Sequence, residues 1–214
     1  MRVVIAGGHG KIALRLTPLL RGQGDVVDSI IRRAEQYDDV RAAGGEPVLC
    51  DLESTGLEEL AQALGSVDAV VFAAGAGPGS GPARKETMDY GGAVKLIEAA
   101  KANGIRRYLM ISSVGADSGA EGEDTFAVYR RAKGRADEEL LRSGLDYTIL
   151  RPTRLTDEPG DGRVLIGERV GRGSVPRDDI AAVIAASLRE PATVGKTFEV
   201  TDGDRPIDEQ LRKL

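Results

Sequence analysis

A chain of 214 residues, 41% of them hydrophobic, can bury one good core, so we predict a single domain over residues 1–214. Its net charge of -5 and its three phenylalanines argue against nucleic acid as a partner, and the lack of a long apolar run or an export signal argues against membrane insertion and predicts a cytoplasmic protein. Cys50 is the only cysteine, so an internal disulfide is excluded and we expect no metal site.

The chain opens with a strand pattern, Val3–Ala6, that runs through a glycine-rich turn into a helix pattern over Lys11–Gln23. The turn holds Gly7, Gly8, His9 and Gly10. Glycine allows a tight turn and close backbone approach, and the free N–H groups at the helix start favour an anion, so we predict a diphosphate site. The G-x-x-G-x-x-A spacing leaves an ordinary strand-to-helix turn as the alternative. His9 has no partner for hydrolysis, and we expect it to contact phosphate or solvent.

The second predicted strand, Val26–Ile31, is followed by Arg32 and Arg33. An NAD-specific site would place an acid there for the ribose hydroxyls, whereas arginine suits a 2′-phosphate. We therefore predict NADP, with NAD the less favoured cofactor. The alternative is that both arginines belong to a solvated surface, and Asp28 lies too early in the strand to supply the missing acid.

The third and fourth predicted strands, Pro47–Cys50 and Val67–Ala73, end in residues that suit a nucleotide. Asp51 can accept a hydrogen bond from an adenine amino group, and the small residues at the end of the fourth strand let a flat ring and ribose approach the backbone. The alternative makes Asp51 a helix cap and the alanines packing residues. The residues concerned are Asp51, Leu52, Ala73, Ala74, Gly75 and Ala76.

After the fifth predicted strand, Tyr108–Ile111, come Ser112 and Ser113, and then a predicted helix over Thr125–Arg142. Tyr129 and Lys133 lie one turn apart on that helix, where the ammonium favours phenolate and the pair can move a proton. Chance is a competing explanation for a lone Tyr-x-x-x-Lys pair. We expect Ser112 or Ser113 to polarise a carbonyl, with strand-end hydrogen bonding as the alternative.

After the sixth predicted strand, Tyr147–Leu150, Pro152 is expected to fix a turn and Thr153 to lie beside the cofactor. Two stretches, Gly75–Pro82 and Leu155–Gly173, are expected to be loops that cover a ligand or move freely. The other predicted helices are Ala34–Ala43, Leu57–Leu64, Arg84–Asn103 and Arg177–Leu188. The alternation predicts an α/β fold, a doubly wound parallel sheet with helices on both faces.

Nearly the whole chain resembles the atypical short-chain dehydrogenases/reductases, in particular the small NmrA-like and biliverdin-reductase-like NAD(P)-binding proteins. The resemblance is carried by GGHGKIA at 7–13, IIRR at 30–33, CDL at 50–52, FAAGAG at 72–77, DYGGAVKLIEAA at 89–100, ISSVGA at 111–116, YRRAK at 129–133, SGLDYTILRPTRLTDEPG at 143–160 and SVPRDDIA at 174–181. Ala13 in place of a glycine and Asp89 in place of an asparagine depart from the family pattern.

The resemblance implies a Rossmann-type domain in which residues 151–214 form a short substrate portion. It also implies cofactor contacts from Gly7, Gly10, Lys11, Ile12, Arg32, Asp51, Leu52, Ala73, Ala74, Gly75, Lys133 and Pro152. By position we add Gly8, His9, Arg33, Ala76, Ser112 and Thr153.

Three functions follow as hypotheses. The first is an NADPH-dependent oxidoreductase acting on a small carbonyl or unsaturated substrate, with Tyr129, Lys133 and a serine, Ser112 or Ser113, as catalytic residues. The second is a non-catalytic NADP(H) sensor whose loops change order and alter a protein partner's interface. The third is a sugar-nucleotide epimerase or dehydratase, for which the short stretch after Leu150 leaves little room.

Overall fold

The computed structural model describes residues 1–77 and 79–214. Across these residues a nine-stranded sheet forms the centre of the molecule, and a two-stranded sheet lies beside it. The strands are β1 (Arg2–Ala6), β2 (Val26–Ile31), β3 (Glu46–Leu49), β4 (Ala69–Phe72), β5 (Arg107–Ile111), β6 (Asp146–Pro152), β7 (Arg154–Thr156), β8 (Arg163–Gly167), β9 (Ser174–Pro176), β10 (Lys196–Asp202) and β11 (Arg205–Pro206).

The helices cover both faces of the large sheet. They are α1 (Ala13–Gly22), α2 (Tyr37–Ala42), α3 (Leu57–Leu64), α4 (Pro82–Arg84), α5 (Ala93–Ala102), α6 (Thr125–Arg142), α7 (Arg177–Ser187) and α8 (Ile207–Leu211). On one face, α1, α7 and α8 bury Leu16, Ile180 and Leu211 against the strands. On the other, α3, α5 and α6 bury residues such as Leu60 and Leu96. Two apolar layers on a buried parallel sheet confirm the predicted doubly wound architecture.

The strand order of the large sheet is β11-β8-β10-β6-β5-β4-β1-β2-β3. From β3 to β10 all neighbours are parallel, and β8 pairs antiparallel with both β10 and β11. The chain winds outward from β1 to β3 and then crosses back to β4 on the other side of β1. A crevice therefore opens at the carboxyl ends of β1 and β4, where ligands bind in folds of this kind.

Most predicted elements are confirmed. Helices α3 and α6 have the predicted bounds, and the six predicted strands differ by no more than two residues at either end. The predicted helix over Arg84–Asn103 is interrupted, because Lys85–Gly92 forms a π-helical stretch between α4 and α5. Such stretches re-aim side chains and occur often at functional sites. Here the stretch buries Lys85, Met88 and Asp89.

Two predictions about the region after β6 were wrong. Pro152 does not make a turn: it is the last residue of β6, pairs with Val200 and accepts a hydrogen bond from the N–H of Val114. Proline has no backbone N–H group, and at the end of a strand this removes only a single hydrogen bond from the sheet. The segment Leu155–Gly173 is not wholly irregular, since it contains most of β7 and all of β8. Long-range pairing with β9 and β10 orders these residues.

The segment predicted as the loop Gly75–Pro82 lacks regular structure at 75–77 and 79–81, whereas Pro82 begins α4. Residue 78 lies outside the described residues. Across residues 1–77 and 79–214, no helix combines the length and the apolar character required to span a membrane.

Candidate functional site

The turn after β1 brings the backbone of two strands into contact. Gly7 has φ of 82°, and a Cβ on it would lie 2.6 Å from Cα of Ala74, which follows β4. Only glycine satisfies both the positive φ and this approach. The predicted tight turn at Gly7 is present, and glycine is required there by the neighbouring strand as well as by the local backbone.

The start of α1 offers unpaired donors. Within residues 1–77 and 79–214, the backbone N–H groups of Lys11, Ile12 and Ala13 have no protein acceptor. Gly10, by contrast, donates to the carbonyl oxygen of Gly7 at 2.8 Å. Unpaired donors together with the positive end of the helix dipole form an anion site. This part of the chain therefore fits a diphosphate.

A cavity of about 250 Å³, here called the glycine cavity, lies in front of that turn. It is bounded by the ends of β1, β2, β3 and β4. Its lining includes most of the residues predicted for the nucleotide: Gly7, His9, Gly10, Arg32, Asp51, Leu52, Ala73, Ala74, Gly75 and Ala76. Gly8 and Lys11 do not line it.

The charged residues in and directly after β2 differ in their position relative to the glycine cavity. Arg32 is exposed and lines the cavity, whereas Arg33 is exposed and lies outside the lining. Asp28, the third residue of β2, is buried and accepts a hydrogen bond from Nε of Arg2 at 2.7 Å. Asp28 is therefore not available to a ribose. Arg32 therefore lines this part of the cavity, whereas the acid of β2, Asp28, does not.

His9 and Asp51 also line the glycine cavity, and each side chain contacts another residue of the protein. The Nε2 atom of His9 lies 2.7 Å from Oδ2 of Asp39, on α2. Oδ1 of Asp51 accepts a hydrogen bond from the N–H of Glu53, while α3 begins only at Leu57. Asp51 therefore does not cap α3, and its second oxygen remains at the cavity.

A second cavity of about 520 Å³, here called the tyrosine cavity, continues from the first. The two share Ala73, Ala74, Gly75 and Gly77, so they form one cleft across the carboxyl end of β4. Tyr129 and Lys133 from α6 line the tyrosine cavity. The structure thus brings together the two predicted motifs, the glycine turn and the Tyr-x-x-x-Lys pair, which lie more than one hundred residues apart.

Lys133 is almost fully buried at the base of the tyrosine cavity. Its Nζ donates to the carbonyl oxygen of Ile111 at 3.1 Å and lies 3.4 Å from Oδ1 of Asp89. Burial disfavours its charge, but Asp89, Tyr129 and Asp137 outweigh that effect and raise the pKa of Lys133. Asp89 also accepts a hydrogen bond from the N–H of Ala76 at 3.2 Å, which ties it to the end of β4.

The two predicted serines use their hydroxyl groups elsewhere. Ser112 lines the tyrosine cavity but donates to Oδ2 of Asp137 at 2.9 Å, and Ser113 donates to the carbonyl oxygen of Val114 at 3.1 Å outside the lining. Burial raises the pKa of Asp137, although Arg151 and Ser112 act against the increase. Neither serine therefore directs a free O–H group at the cavity in this arrangement.

Other predicted residues lie at the edges of the cleft. Ile12 lines the tyrosine cavity, while the Nζ atom of exposed Lys11 lies 2.5 Å from Oδ2 of Asp157. Pro152 and Thr153 belong to neither lining, and the hydroxyl of Thr153 bonds to Thr201 at 3.0 Å.

Sequence reasoning missed several residues that line the cleft. They come from α4, from the π-helical stretch, from the first turn of α6 and from the segment after β6: Arg84, Lys85, Met88, Thr125, Phe126 and Leu155. No local pattern marked them, because their position depends on helix packing. A cluster of Asp161, Asp179 and Asp202, with carboxylate oxygens within 4.8 Å, lies away from this cleft and was also missed.

Comparison with known proteins agrees with this geometry. A family model described as NAD(P)H-binding matches residues 7–191, from the glycine turn to Pro191, which lies shortly after α7. The chain belongs to the NAD(P)H-binding family. This membership confirms the predicted NAD(P)-binding Rossmann-type domain.

Several known proteins resemble the chain over its full length. It is 40% identical to the uncharacterized sugar epimerase YhfK of Bacillus subtilis, with 100% of each chain covered. A solved structure, a putative NAD-dependent epimerase/dehydratase from Bacillus halodurans, superposes with a TM-score of 0.92 at 39% identity, again over 100% of both chains. The oxidoreductase ylbE from Lactococcus lactis gives 0.85 at 28% identity and covers 100% of this chain and 96% of its own.

Proposed function

We propose that the chain is an NADP(H)-dependent oxidoreductase of the atypical short-chain dehydrogenase/reductase type, acting on a small carbonyl or unsaturated substrate. One observation carries the proposal. A single cleft joins the anion site at the start of α1 and the arginine at the end of β2 to the Tyr129–Lys133 pair. That is the order of groups that a dinucleotide and a substrate beyond it require.

The glycine cavity and the start of α1 would hold the adenosine and diphosphate parts of the cofactor. The free N–H groups of Lys11, Ile12 and Ala13 suit the diphosphate, and the guanidinium of Arg32 suits a 2′-phosphate through charge-assisted hydrogen bonds. Asp51 would accept a hydrogen bond from the adenine amino group. When bound, the nicotinamide ring supplies the hydride.

The residues of the tyrosine cavity would handle the proton. The phenol of Tyr129 donates a proton to the substrate atom that gains negative charge. Lys133 holds the nicotinamide ribose and stabilises the phenolate that remains. Because the hydroxyl of Ser112 donates to Asp137, orienting a substrate oxygen through Ser112 requires that hydroxyl to turn away from Asp137.

The names of the relatives raise a second candidate, a sugar epimerase. The tyrosine cavity has walls of Ile12, Ile111 and Leu155, which suit an apolar compound better than a polyhydroxylated nucleotide sugar. The residues after β6 also extend the large sheet through β8, β10 and β11 and do not build a separate lobe. These features support reduction over epimerisation.

The test measures binding first and turnover second. Purified protein is titrated with NADPH and NADH by nicotinamide fluorescence, and NADPH oxidation is then followed by absorbance with quinones, aldehydes and flavins. We expect tighter binding of NADPH than NADH, and turnover that Tyr129→Phe abolishes. Tyr147→Phe is the control, because Tyr147 lies outside both linings and bonds to the carbonyl oxygen of Gly195.

Each result separates the candidates. Tight NADPH binding without turnover of any compound in the panel would favour the sensor. Copurified NAD and interconversion of a nucleotide-sugar pair would favour the epimerase. Lack of affinity for both nicotinamide cofactors would overturn the proposal as a whole.

A further inference from the structure

Lys85 is a buried cation in the wall of the tyrosine cavity. It belongs to the π-helical stretch and is only 8% exposed. Its Nζ donates to the carbonyl oxygen of Gly77 at 3.0 Å and lies 5.4 Å from the centre of the Tyr129 ring. An ammonium has three N–H donors, and among residues 1–77 and 79–214 the carbonyl of Gly77 is its one hydrogen-bond acceptor.

Lys85 also lacks an acidic partner. Within residues 1–77 and 79–214, no carboxylate oxygen lies within 4.0 Å of its Nζ. Asp89, one turn further along, is 3.4 Å from Lys133 and accepts a hydrogen bond from Ala76, so it is already engaged. A buried cation without a counter-charge is costly, and an anionic group on a ligand would remove that cost.

The surroundings of Lys85 indicate what else the ligand carries. Phe126 stands at the rim of the cavity, 67% exposed, with its ring centre 6.5 Å from that of Tyr129 in a stacked arrangement. Ile111 and Leu155 add apolar side chains to the lining of the same cavity. An exposed aromatic ring beside an apolar cavity suits a flat, apolar partner.

We propose that Lys85 is the anion-recognising residue of the substrate subsite and that the substrate is an aromatic or similarly flat apolar compound bearing a carboxylate. The proposal deepens the function proposed above and rests on it, because it assigns the substrate to the same cleft. The carboxylate pairs with Nζ of Lys85, while the apolar body of the compound lies between Phe126 and Leu155, close to the hydroxyl of Tyr129.

A phosphate of the cofactor is the other possible source of negative charge. Lys85 lines the tyrosine cavity and is absent from the lining of the glycine cavity, which includes Gly7 and Gly10 of the turn before α1. The experiment therefore measures the affinity for the cofactor and the affinity for substrate-like probes separately, on the same variants.

The probes are 2-naphthoate and its neutral counterpart 2-naphthamide. Their binding to the full chain is measured by calorimetry, with and without saturating NADP. We expect the protein to bind 2-naphthoate about tenfold more tightly than 2-naphthamide. Lys85→Met, which keeps the side-chain length, should abolish this preference, and Lys85→Arg should retain most of it. Lys101→Met is the control, since Lys101 is exposed on α5 and pairs with Glu98.

The outcomes are distinguishable from those of the proposed function. Equal affinity for both probes in the unaltered protein, or a preference that survives Lys85→Met, overturns the inference even if NADPH binds. A large loss of NADP affinity in Lys85→Met with the naphthoate preference intact assigns Lys85 to the cofactor and also overturns it. If neither nicotinamide cofactor binds, the proposed function fails, while the preference measured without cofactor still tests Lys85.

Discussion

Nζ of Lys133 lies 3.4 Å from Oδ1 of Asp89, and both side chains are buried beneath Tyr129. Burial opposes the charge of Lys133, and Asp89 is the largest influence that restores it, so the pKa of Lys133 is raised. Asp89 therefore keeps Lys133 charged within the tyrosine cavity.

Asp89→Asn should shift the pH profile of turnover. Without the carboxylate, Lys133 loses the largest influence that restores its charge against burial, so it should become neutral at lower pH and the alkaline limb of kcat should move to lower pH. The carboxamide can still accept from Ala76. Steady-state kinetics from pH 6 to 10 measure the shift.

Glu86→Gln is the matched control for Asp89→Asn, because Glu86 lies on the same π-helical stretch but pairs with Arg135 at 2.8 Å. Asp89→Asn should also reduce stability at pH 7 by about 1–3 kcal/mol. Since the folded pKa of Lys133 is raised, this contribution is complete below the ordinary value of 10.5 and disappears as the pH rises through the folded value. An unchanged pH profile of turnover would show that Asp89 does not control the charge of Lys133.

Arg32→Ala should weaken NADPH binding about tenfold and leave NADH binding nearly unchanged, because only NADPH carries the 2′-phosphate. Arg33→Ala is the control, since Arg33 is equally exposed but lies outside the glycine cavity. Fluorescence titrations of both variants with both cofactors give the comparison. Equal losses for the two cofactors in Arg32→Ala would contradict the 2′-phosphate contact.

Gly7→Ala should prevent cofactor binding and reduce stability by about 3 kcal/mol or more. The new Cβ would lie 2.6 Å from Cα of Ala74 and would force β1 and β4 apart. Gly24→Ala separates this collision from backbone strain, because Gly24 has nearly the same φ, 83°, and open space around it. Gly24→Ala should cost only about 1 kcal/mol in urea unfolding. Similar costs for the two variants would rule out the close approach as the cause.

Arg151→Met should destabilise the chain more at pH 8 than at pH 5. Arg151 pairs with buried Asp137 at 2.8 Å, and its removal leaves a carboxylate without its cation, at a cost of about 2–4 kcal/mol at pH 8. Burial already raises the pKa of Asp137, and an acid with a raised folded pKa loses stability as the pH rises through that value. Protonation at pH 5 should therefore relieve part of the loss.

The second variant for this pair is Asp137→Asn in the Arg151→Met background. Removing the orphaned charge should recover part of the stability at pH 8, as measured by urea unfolding. A cost below about 0.5 kcal/mol for Arg151→Met at both pH values would mean that the pair contributes nothing measurable.

The order of elements could be predicted because it is encoded locally. The glycine turn between Ala6 and Ala13, the alternation of apolar runs and the periodicity of Thr125–Arg142 each depend on residues close together in the chain. The segment Leu155–Gly173 could not be predicted correctly. Its polar, glycine-rich composition suits a loop, but pairing with β10, which follows much later, makes part of it β8.

The site shows the same division. The sequence by itself determined the anion site at the start of α1, the arginine after β2 and the spacing of Tyr129 and Lys133, because each follows from strand ends or helix periodicity. Only the tertiary structure decided that Ser112 donates to Asp137, that Asp89 pairs with Lys133 and that Lys85 faces Tyr129. These contacts depend on burial and on which side chains meet when distant elements pack, and no local pattern specifies them.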